Sequence, residues 1–413
     1  MIGINNGVVE LVSTIPDILE LEGLDSLRHS LSVAYLAKLF ATKISCNCQT
    51  EAFLAGLVHD IGAFDIKYHD IHSNDLYSKI SDKKILAHPL ISAQIISSIS
   101  GLAGLADIVL AHHERFDGLG YPLKRSFEKI PQESQLVRVA DSLSAKFCHS
   151  REFDLDKALS YLDAESGKEF NSIILASVKN AISDKFTLQV LNDFDLLNNE
   201  IFRTIDGLKS PESLPVNLPV EEILFFLSQL LDAKHSYSEG HSIRVSNYAV
   251  LVALGLGLDR ESVEIVRVAA LLHDLGKLGV SKDILDKPAS LNEEEKELIR
   301  QHPDFAVKII KKISSFSCFL PVLAADQEHW DGKGYPKGLS GEDIPLFARI
   351  VLVVDAFDAM TSDRAYRKAM PLDDAISELE KCSGRDFDPE IVKVACAIFK
   401  NLDIPKSPRE KSF

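Results

Sequence analysis

The chain is written twice. His59-Asp60 recurs as His273-Asp274, an offset of 273 less 59, or 214 residues. At that same offset His88-Pro89 recurs as His302-Pro303, Gly120-Tyr121-Pro122 as Gly334-Tyr335-Pro336, and Asp141 as Asp355. SGKEFNSII from Ser166 echoes SGRDFDPEI from Ser383, and His29-Ser30 echoes His241-Ser242, the offset drifting by two or three residues. A repeat this long means two homologous domains of ~200 residues each, in the ordinary size range. Pro211, Pro215 and Pro219 mark a linker between them, because proline breaks helices. The expected division is a first domain over 1–206, a linker over 207–219, a second domain over 220–404 and a frayed tail over 405–413.

Within each copy the apolar residues recur at helical spacing. Val245, Tyr248, Ala249, Val252, Ala253 and Leu256 form one stripe, and Val33, Leu36, Ala37 and Phe40 begin its counterpart, so the period is that of an amphipathic helix. Val266, Ala269, Ala270 and His273 follow the same rule, as do Ala52, Ala55, Gly56 and His59. Each His-Asp pair therefore ends the buried face of a helix. Alternating strand patterns are scarce, and the β-branched run from Ile350 to Val354 continues into AFDAMTS as the start of a buried helix. The expected fold is all-α, in two copies.

Lys and Arg number 45 against 61 Asp and Glu, a net charge of −16. That balance disfavours wrapping DNA or RNA, or lying on an anionic membrane. The longest apolar run, Tyr248 to Leu258, falls short of the ~18 residues a membrane span needs. The first residues lack a signal-peptide pattern, and the expectation is a cytoplasmic protein. The six cysteines lack paired C-x-x-C spacing. Cys46 and Cys48 are expected to be plain thiols in a reducing compartment.

In the first copy His29, His59, Asp60, His88, His112, His113 and Asp141 each stand beside apolar helix-forming sequence. Burying so many ionisable groups is costly unless a cation compensates them. Imidazole with carboxylate suits zinc, iron, manganese or nickel. Asp60 can bridge two cations ~3.5–4 Å apart, the separation used for in-line phosphoryl displacement.

These residues, with HSIRV, LLHDLGKLGV, ILDKPASL, WDGKGYPKGLSGEDIPLFARI and VVDAFDAMTSDRAYR in the second half, give a chain that resembles the HD-GYP phosphodiesterases, a branch of the HD superfamily of metal-dependent phosphohydrolases. The resemblance covers nearly the whole chain. It implies two HD-type helical domains in tandem, two or three divalent transition metals (iron, manganese or nickel) per intact site, and hydrolysis of cyclic di-GMP or cyclic GMP-AMP to a linear product. One metal would take His29, His59, Asp60 and Asp141. A second would share Asp60 and take His88, His112 and His113. Asp25, one turn before His29, stands where some members carry a third-metal carboxylate.

The second copy keeps His241, His273, Asp274, His302 and Asp355, but has Asp326-Gln327-Glu328 where the family has His-His-Glu. Asp326 would replace one imidazole as an oxygen ligand, Gln327 is a weak ligand, His329 is out of register, and Tyr237 stands where the third-metal carboxylate would be. Lys277, Arg364 and Arg367 resemble the family's phosphate contacts, whereas the first copy has Ala63, Ser150 and Phe153 at those positions. Arg115, Lys124 and Arg151 are the basic residues left to substitute. Asp60, Asp274 and Lys277 are therefore expected to act in catalysis, and Lys277, Tyr121, Tyr335, Arg364 and Arg367 to hold the substrate. Hydrolysis is expected at the first copy, with the second a weaker catalyst or a binding and regulatory domain. The resemblance also implies a GGDEF-type cyclase partner at the GYP loop and leaves a homodimer open. Two alternatives stand beside it: a catalytically weak cyclic dinucleotide receptor, and an HD hydrolase of another nucleotide phosphate ester.

Overall fold

Most of α2 (Leu24–Lys43) is buried on several sides, with Leu31, Ala34, Ala37 and Phe40 fully covered. A helix apolar over so wide an arc must be surrounded by others. In the computed structural model, which describes residues 3–5, 7–63, 66, 71, 83–148, 152–208, 217–234, 240–287, 289–363 and 368–401, α2 packs against α3 (Gln49–Val58) and α6 (Gln132–Phe147). α1 (Gly7–Glu22), α4 (Lys83–Ser97) and the short α5 (Ala106–Leu110) complete the surroundings of that core. Phe40 and Phe53 are fully buried, each contributing ~1.5–3 kcal/mol of burial free energy. Then follow α7 (Leu155–Ala164), α8 (Ser172–Ile182), α9 (Lys185–Asn192) and α10 (Phe194–Gly207). Asp154, Asn171, Asp184 and Asp193 cap the N-termini of these four helices, satisfying amides that would otherwise lack a partner.

The contact division of the chain falls between Ala233 and Lys234, later than the proline-marked boundary. Residues 217–233 belong with the first unit. β2 (Asn217–Pro219) pairs antiparallel with β1 (Gly3–Asn5), Gly3 opposite Pro219. After it, α11 (Val220–Lys234) buries Ile223, Phe226, Leu227 and Leu230. Glu222 of α11 accepts the backbone amide of Ser100 at 2.7 Å. The prolines follow the end of α10, and β2, paired with β1, leads directly into α11.

In the second unit the three-helix core recurs. α12 (His241–Gly255) packs on α13 (Arg260–Leu272) and α18 (Leu346–Thr361), and the run from Ile350 to Val354 lies inside α18, fully or almost fully buried. Between them come α14 (Lys282–Leu285), α15 (Glu293–Arg300), α16 (His302–Ile310) and α17 (Leu320–Leu323). α19 (Leu372–Cys382) and α20 (Pro389–Phe399) close the unit. Apart from the β1–β2 pair and two isolated bridges, the described residues are helix, turn and loop, and none of their helices is long and apolar enough to cross a membrane.

Cys46 and Cys48 form a disulfide in the loop between α2 and α3, where plain thiols were expected. The left-handed turn at Ser45 (φ 55°) precedes them, and their Cα atoms are 5.2 Å apart, within bridging reach. Glu133 lies close to both sulfurs, but in a disulfide neither sulfur is the thiolate that a metal requires.

Candidate metal centre

The imidazoles of the first unit converge because of where their helices end. His59 follows the last residue of α3, and its Nδ1–H donates to the carbonyl of Gly56 at 2.8 Å. His88 does the same to Ile85 at 2.7 Å, and His112 to Val109 at 2.6 Å. In all three the ring binds the carbonyl three residues back. That bond fixes the tautomer and leaves the Nε2 lone pair facing inward, the arrangement of a metal-binding histidine. His29, on α2, is held from the other side by Ser144 Oγ at 3.0 Å.

Asp60 stands between two groups of these rings. Its Oδ2 is 3.3 Å from His59 Nε2 and 4.0 Å from His29 Nε2. Its Oδ1 is 3.2 Å from His88 Nε2 and 3.4 Å from His112 Nε2. Asp141 Oδ1 adds to the first group, 3.4 Å from His29 Nε2. By ligand distance, His29, His59 and Asp141 form one set able to hold a cation, and Asp60, His88, His112 and His113 form another. His29 and His59 bring their Nε2 atoms to 3.2 Å, and His88 and His112 to 3.3 Å. Paired lone pairs at that distance repel unless a proton or a metal lies between them, so the donor set fits a divalent transition metal.

Burial disfavours charge on these rings, and the carboxylates decide where it is overcome. His59 is wholly buried, yet Asp60 and Asp141 outweigh that and push its pKa to about 9. Burial prevails at His112, which falls to about 4, and at His113, which drops well below its usual value.

The second unit assembles one such set. His273 donates Nδ1–H to Ala270 and His302 to Ile299, both at 2.8 Å. His241, His273 and Asp355 gather within ligand distance, His241 Nε2 lying 3.3 Å from Asp355 Oδ1. Asp274 is 3.4 Å from His273 Nε2 through Oδ1, but its Oδ2 is 2.6 Å from Lys277 Nζ. An ammonium thus sits on the carboxylate that in the first unit faces a second group of rings. Burial works against ionised Asp274, but His273 and Lys277 hold its pKa well below the usual range. His302 and Asp326 are buried nearby and, among the described residues, do not gather with Asp274 into a second set. Neither oxygen of Asp326 has a hydrogen-bond partner, and burial raises its pKa far above normal. Gln327 Oε1 accepts from the Tyr335 hydroxyl at 3.1 Å, so it holds the loop. His329 lies 3.6 Å from Asp386, away from the donor set.

The GYP loops fold back on the turn that carries the paired ligands. A Cβ at Gly120 would lie 2.3 Å from Arg115 N, and one at Gly334 2.2 Å from His329 N, so only glycine permits the approach. Glu114 accepts the amides of Leu123 and Arg125 at 2.7 and 2.9 Å, and Glu328 those of Lys337 and Leu339 at 2.6 and 3.0 Å. Neither glutamate was singled out, although each occupies the same repeat position. Tyr121, expected to hold the substrate, is buried and stacks on His113 with centroids 4.8 Å apart, because the loop turns under the ligand pair. Tyr335 keeps partial exposure, with Arg300 over its ring at 5.8 Å. The structure also brings in Arg138, Glu169, Asp358 and Arg244. His241 Nδ1 meets Asp358 Oδ2 at 2.7 Å, where His29 meets Ser144, and Arg244 Nε binds the other oxygen at 2.7 Å. The visible signal for these four was charge within apolar helical or echoed sequence.

Asp25 is exposed in the first turn of α2. Arg115 pairs with Asp117 at 2.7 Å, so its charge is already matched, and Lys124 is exposed. Ser150, Arg151, Tyr237, Arg364 and Arg367 lie outside the described residues.

Two helical units, each ending a buried helix in His-Asp with further histidines converging on it, define an HD-type metal-binding fold. A profile of the HD domain matches residues 15–173 and 226–391, and the chain belongs to that family. It is 34% identical over 278 residues to 3'3'-cGAMP-specific phosphodiesterase 3 of Vibrio cholerae, covering 67% of this chain and 59% of that protein. It is 34% identical over 183 residues to a cyclic di-GMP phosphodiesterase of Thermotoga maritima, covering 44% and 50%. With 3'3'-cGAMP-specific phosphodiesterase 1 of Vibrio cholerae the identity is 26% over 407 residues, 94% of this chain and 91% of that one. The chain thus spans about half to three fifths of the first two relatives. The crystal structure of a cyclic GMP-AMP-specific phosphodiesterase of Vibrio cholerae superposes with a TM-score of 0.63 at 23% identity, covering 97% of this chain and 98% of that one, and shares the fold.

Proposed function

We propose that this chain is a metal-dependent phosphodiesterase that opens a cyclic dinucleotide, cyclic di-GMP or cyclic GMP-AMP, to a linear product, with the first unit as the hydrolytic centre. The observation that carries this reading is Asp60, which directs one carboxylate oxygen to each of two groups of imidazoles. Iron, manganese or nickel at those groups would supply a water acidic enough to ionise near neutral pH and charge to offset that on the phosphate. His29, His59, Asp60 and Asp141 would hold one ion, and Asp60, His88, His112 and His113 the other. The helix-end carbonyl bonds keep His59, His88 and His112 in position. The fully buried surroundings keep bulk water from competing for them.

In the second unit Lys277 offers its charge beside Asp274, and Arg364 and Arg367 are assigned as further phosphate contacts through the sequence motif. That favours nucleotide binding over cleavage there. The names of the relatives support the substrate class, and the cytoplasm is the compartment proposed with it. Leu119, Leu123 and Phe127 flank the first GYP loop with half or more of their surface exposed, and this apolar rim is the surface assigned to a GGDEF-type cyclase. The test is turnover of both dinucleotides by the purified full chain reloaded with each metal. His88→Ala with His112→Ala should remove linear product and most bound metal, whereas His273→Ala with Asp274→Ala should leave product. Activity that survives the first pair and vanishes with the second overturns the assignment.

A further inference from the structure

The loop between α2 and α3 carries donors that the His-Asp centre does not use. Cys46, Cys48 and Glu133 bring both sulfurs and a carboxylate oxygen within 4.8 Å of one another. Glu133 stands in the first turn of α6, and among the described residues no cation is paired with it. The cluster is separate from the His-Asp centre. From His29 to Lys43, the last residue of α2, 43 less 29, or 14 residues, carry the chain ~21 Å along the helix, and Cys46 lies beyond that end. The repeat shows that this loop is not built for helix stability. Cys48 is the N-cap of α3 and its side chain caps no amide, whereas Asp259, the N-cap of α13, accepts from Ser262 N at 2.8 Å. Cysteine is outside the residues favoured at that position, and a missing cap costs ~1 kcal/mol. The second unit's loop from Leu256 to Asp259 has no cysteine, and Phe347 stands 214 residues on from Glu133. Both thiols and the acid therefore belong to the first unit alone.

Two states of the cluster exclude one another. In the disulfide the sulfurs are neutral and hold no metal. Reduced, as a reducing compartment keeps them, both sulfurs can ionise, and two thiolates beside a carboxylate repel unless a cation lies between them. Two sulfurs and one oxygen suit zinc, with the fourth position left to water. At a Zn–S distance of ~2.3 Å, tetrahedral geometry sets the sulfurs roughly 3.8 Å apart, a separation within the spread of the three donor atoms. Cys48 is buried and Cys46 keeps partial exposure, so an oxidant reaches one sulfur first. We infer that Cys46, Cys48 and Glu133 form a zinc site that oxidation to the disulfide empties. A hydroperoxide carries the step. The Cys46 thiolate attacks the O–O bond, which breaks to leave a sulfenic acid and release water or alcohol, and the Cys48 thiolate then forms the S–S bond by displacing the sulfenic oxygen as water. Two electrons pass from the sulfurs to the peroxide oxygens, two protons are taken up, and Zn²⁺ leaves.

The experiment uses the full chain, reduced with a phosphine, freed of metal and titrated without oxygen with Co²⁺, an optical stand-in for zinc. Thiolate ligands give cobalt a charge-transfer band in the near ultraviolet that imidazole and carboxylate ligands do not, so the band reports this site even while the His-Asp centre fills. The reduced parent should show the band and lose it as Zn²⁺ is added. Hydrogen peroxide should abolish it, release the ion and join Cys46 to Cys48 in the peptide map, and the phosphine should restore it. No band in the reduced parent overturns the proposal without any variant having to fold, and a band that peroxide leaves intact overturns the redox step. Cys46→Ser with Cys48→Ser should remove the band; one that survives comes from another cysteine and overturns the assignment. Glu133→Gln should weaken cobalt binding at the band by at least ~10-fold, and unchanged affinity overturns the three-donor site. None of these readouts depends on turnover of either dinucleotide.

Discussion

Stripping the metals should make the protein lose stability as pH rises from 6.5 to 9. His59 is raised from 6.5 to about 9 and His273 to about 10, each by the carboxylates around it prevailing over burial. A ring whose folded pKa is raised binds its proton more tightly in the native state. Its contribution is fully present below the unfolded value of 6.5 and is lost as pH climbs through the folded value. Each pH unit across that window removes ~1.4 kcal/mol per ring. From 6.5 to 9 the loss is on the order of 3 kcal/mol in each unit, or roughly 6–12 °C in melting temperature for domains of this size. Below 6.5 the sign reverses, because burial depresses His112 and His302 to about 4 and the unfolded chain then takes up protons that these rings refuse. Metal-free stability should therefore peak near pH 6.5. Added Mn²⁺ displaces the protons, so its stabilising effect should grow with pH. Thermal melts with and without chelator at pH 5.5, 6.5, 7.5 and 9 measure both trends. His59→Gln should abolish the alkaline fall in the first unit alone. A metal-free melting temperature that is flat or rising from 6.5 to 9 would refute the charge assignment.

Gly120→Ala and Gly334→Ala press a Cβ into backbone at 2.3 and 2.2 Å and should each destabilise their unit by ~1–3 kcal/mol, seen as a lower urea midpoint with unchanged slope. Asp358→Ser gives His241 the partner type that His29 has; without the carboxylate, metal held by His241, His273 and Asp355 should bind ~10-fold more weakly, read by titration in an Asp60→Asn background.

The all-α architecture was legible because helical spacing carried through both copies; His29, His59, Asp60, His88 and Asp141 stood out because they recur in the repeat, whereas His112 and His113, opposite Asp326 and Gln327, stood out only through the family resemblance. The role of α11 was not legible. Val220 to Lys234 is helical in pattern, but the pairing of Leu218 with Ile4 is a contact across the whole first unit, and no local spacing encodes it. Gln327 was read as a poor ligand, and its bond to Tyr335 was not legible because it depends on a loop that doubles back. Arg138 was passed over for a related reason. A basic residue in a helix reads as solvated unless the helix is known to be covered on that side, and α6 is covered by α2 and α3.

Charge balance explains why the two units diverged in opposite directions. The first surrounds its donors with Asp60, Asp141 and Glu169, against the guanidinium of Arg138 and a share of Arg115, which lies 3.6 Å from Glu169 but 2.7 Å from Asp117. Buried carboxylates in that excess are costly without further positive charge, and five imidazoles lie ready to hold it as metal. The second unit sets Asp274, Asp355 and Asp358 against both Lys277 and Arg244. Its ammonium does, for Asp274, what a second ion would otherwise have to do. Replacing imidazoles with Asp326 and Gln327 is tolerable there, because the deficit that a second metal would fill is already smaller. The reverse exchange, a lysine at Ala63, would bring a third cation toward Asp60 and compete with the ions that the first unit is built to bind.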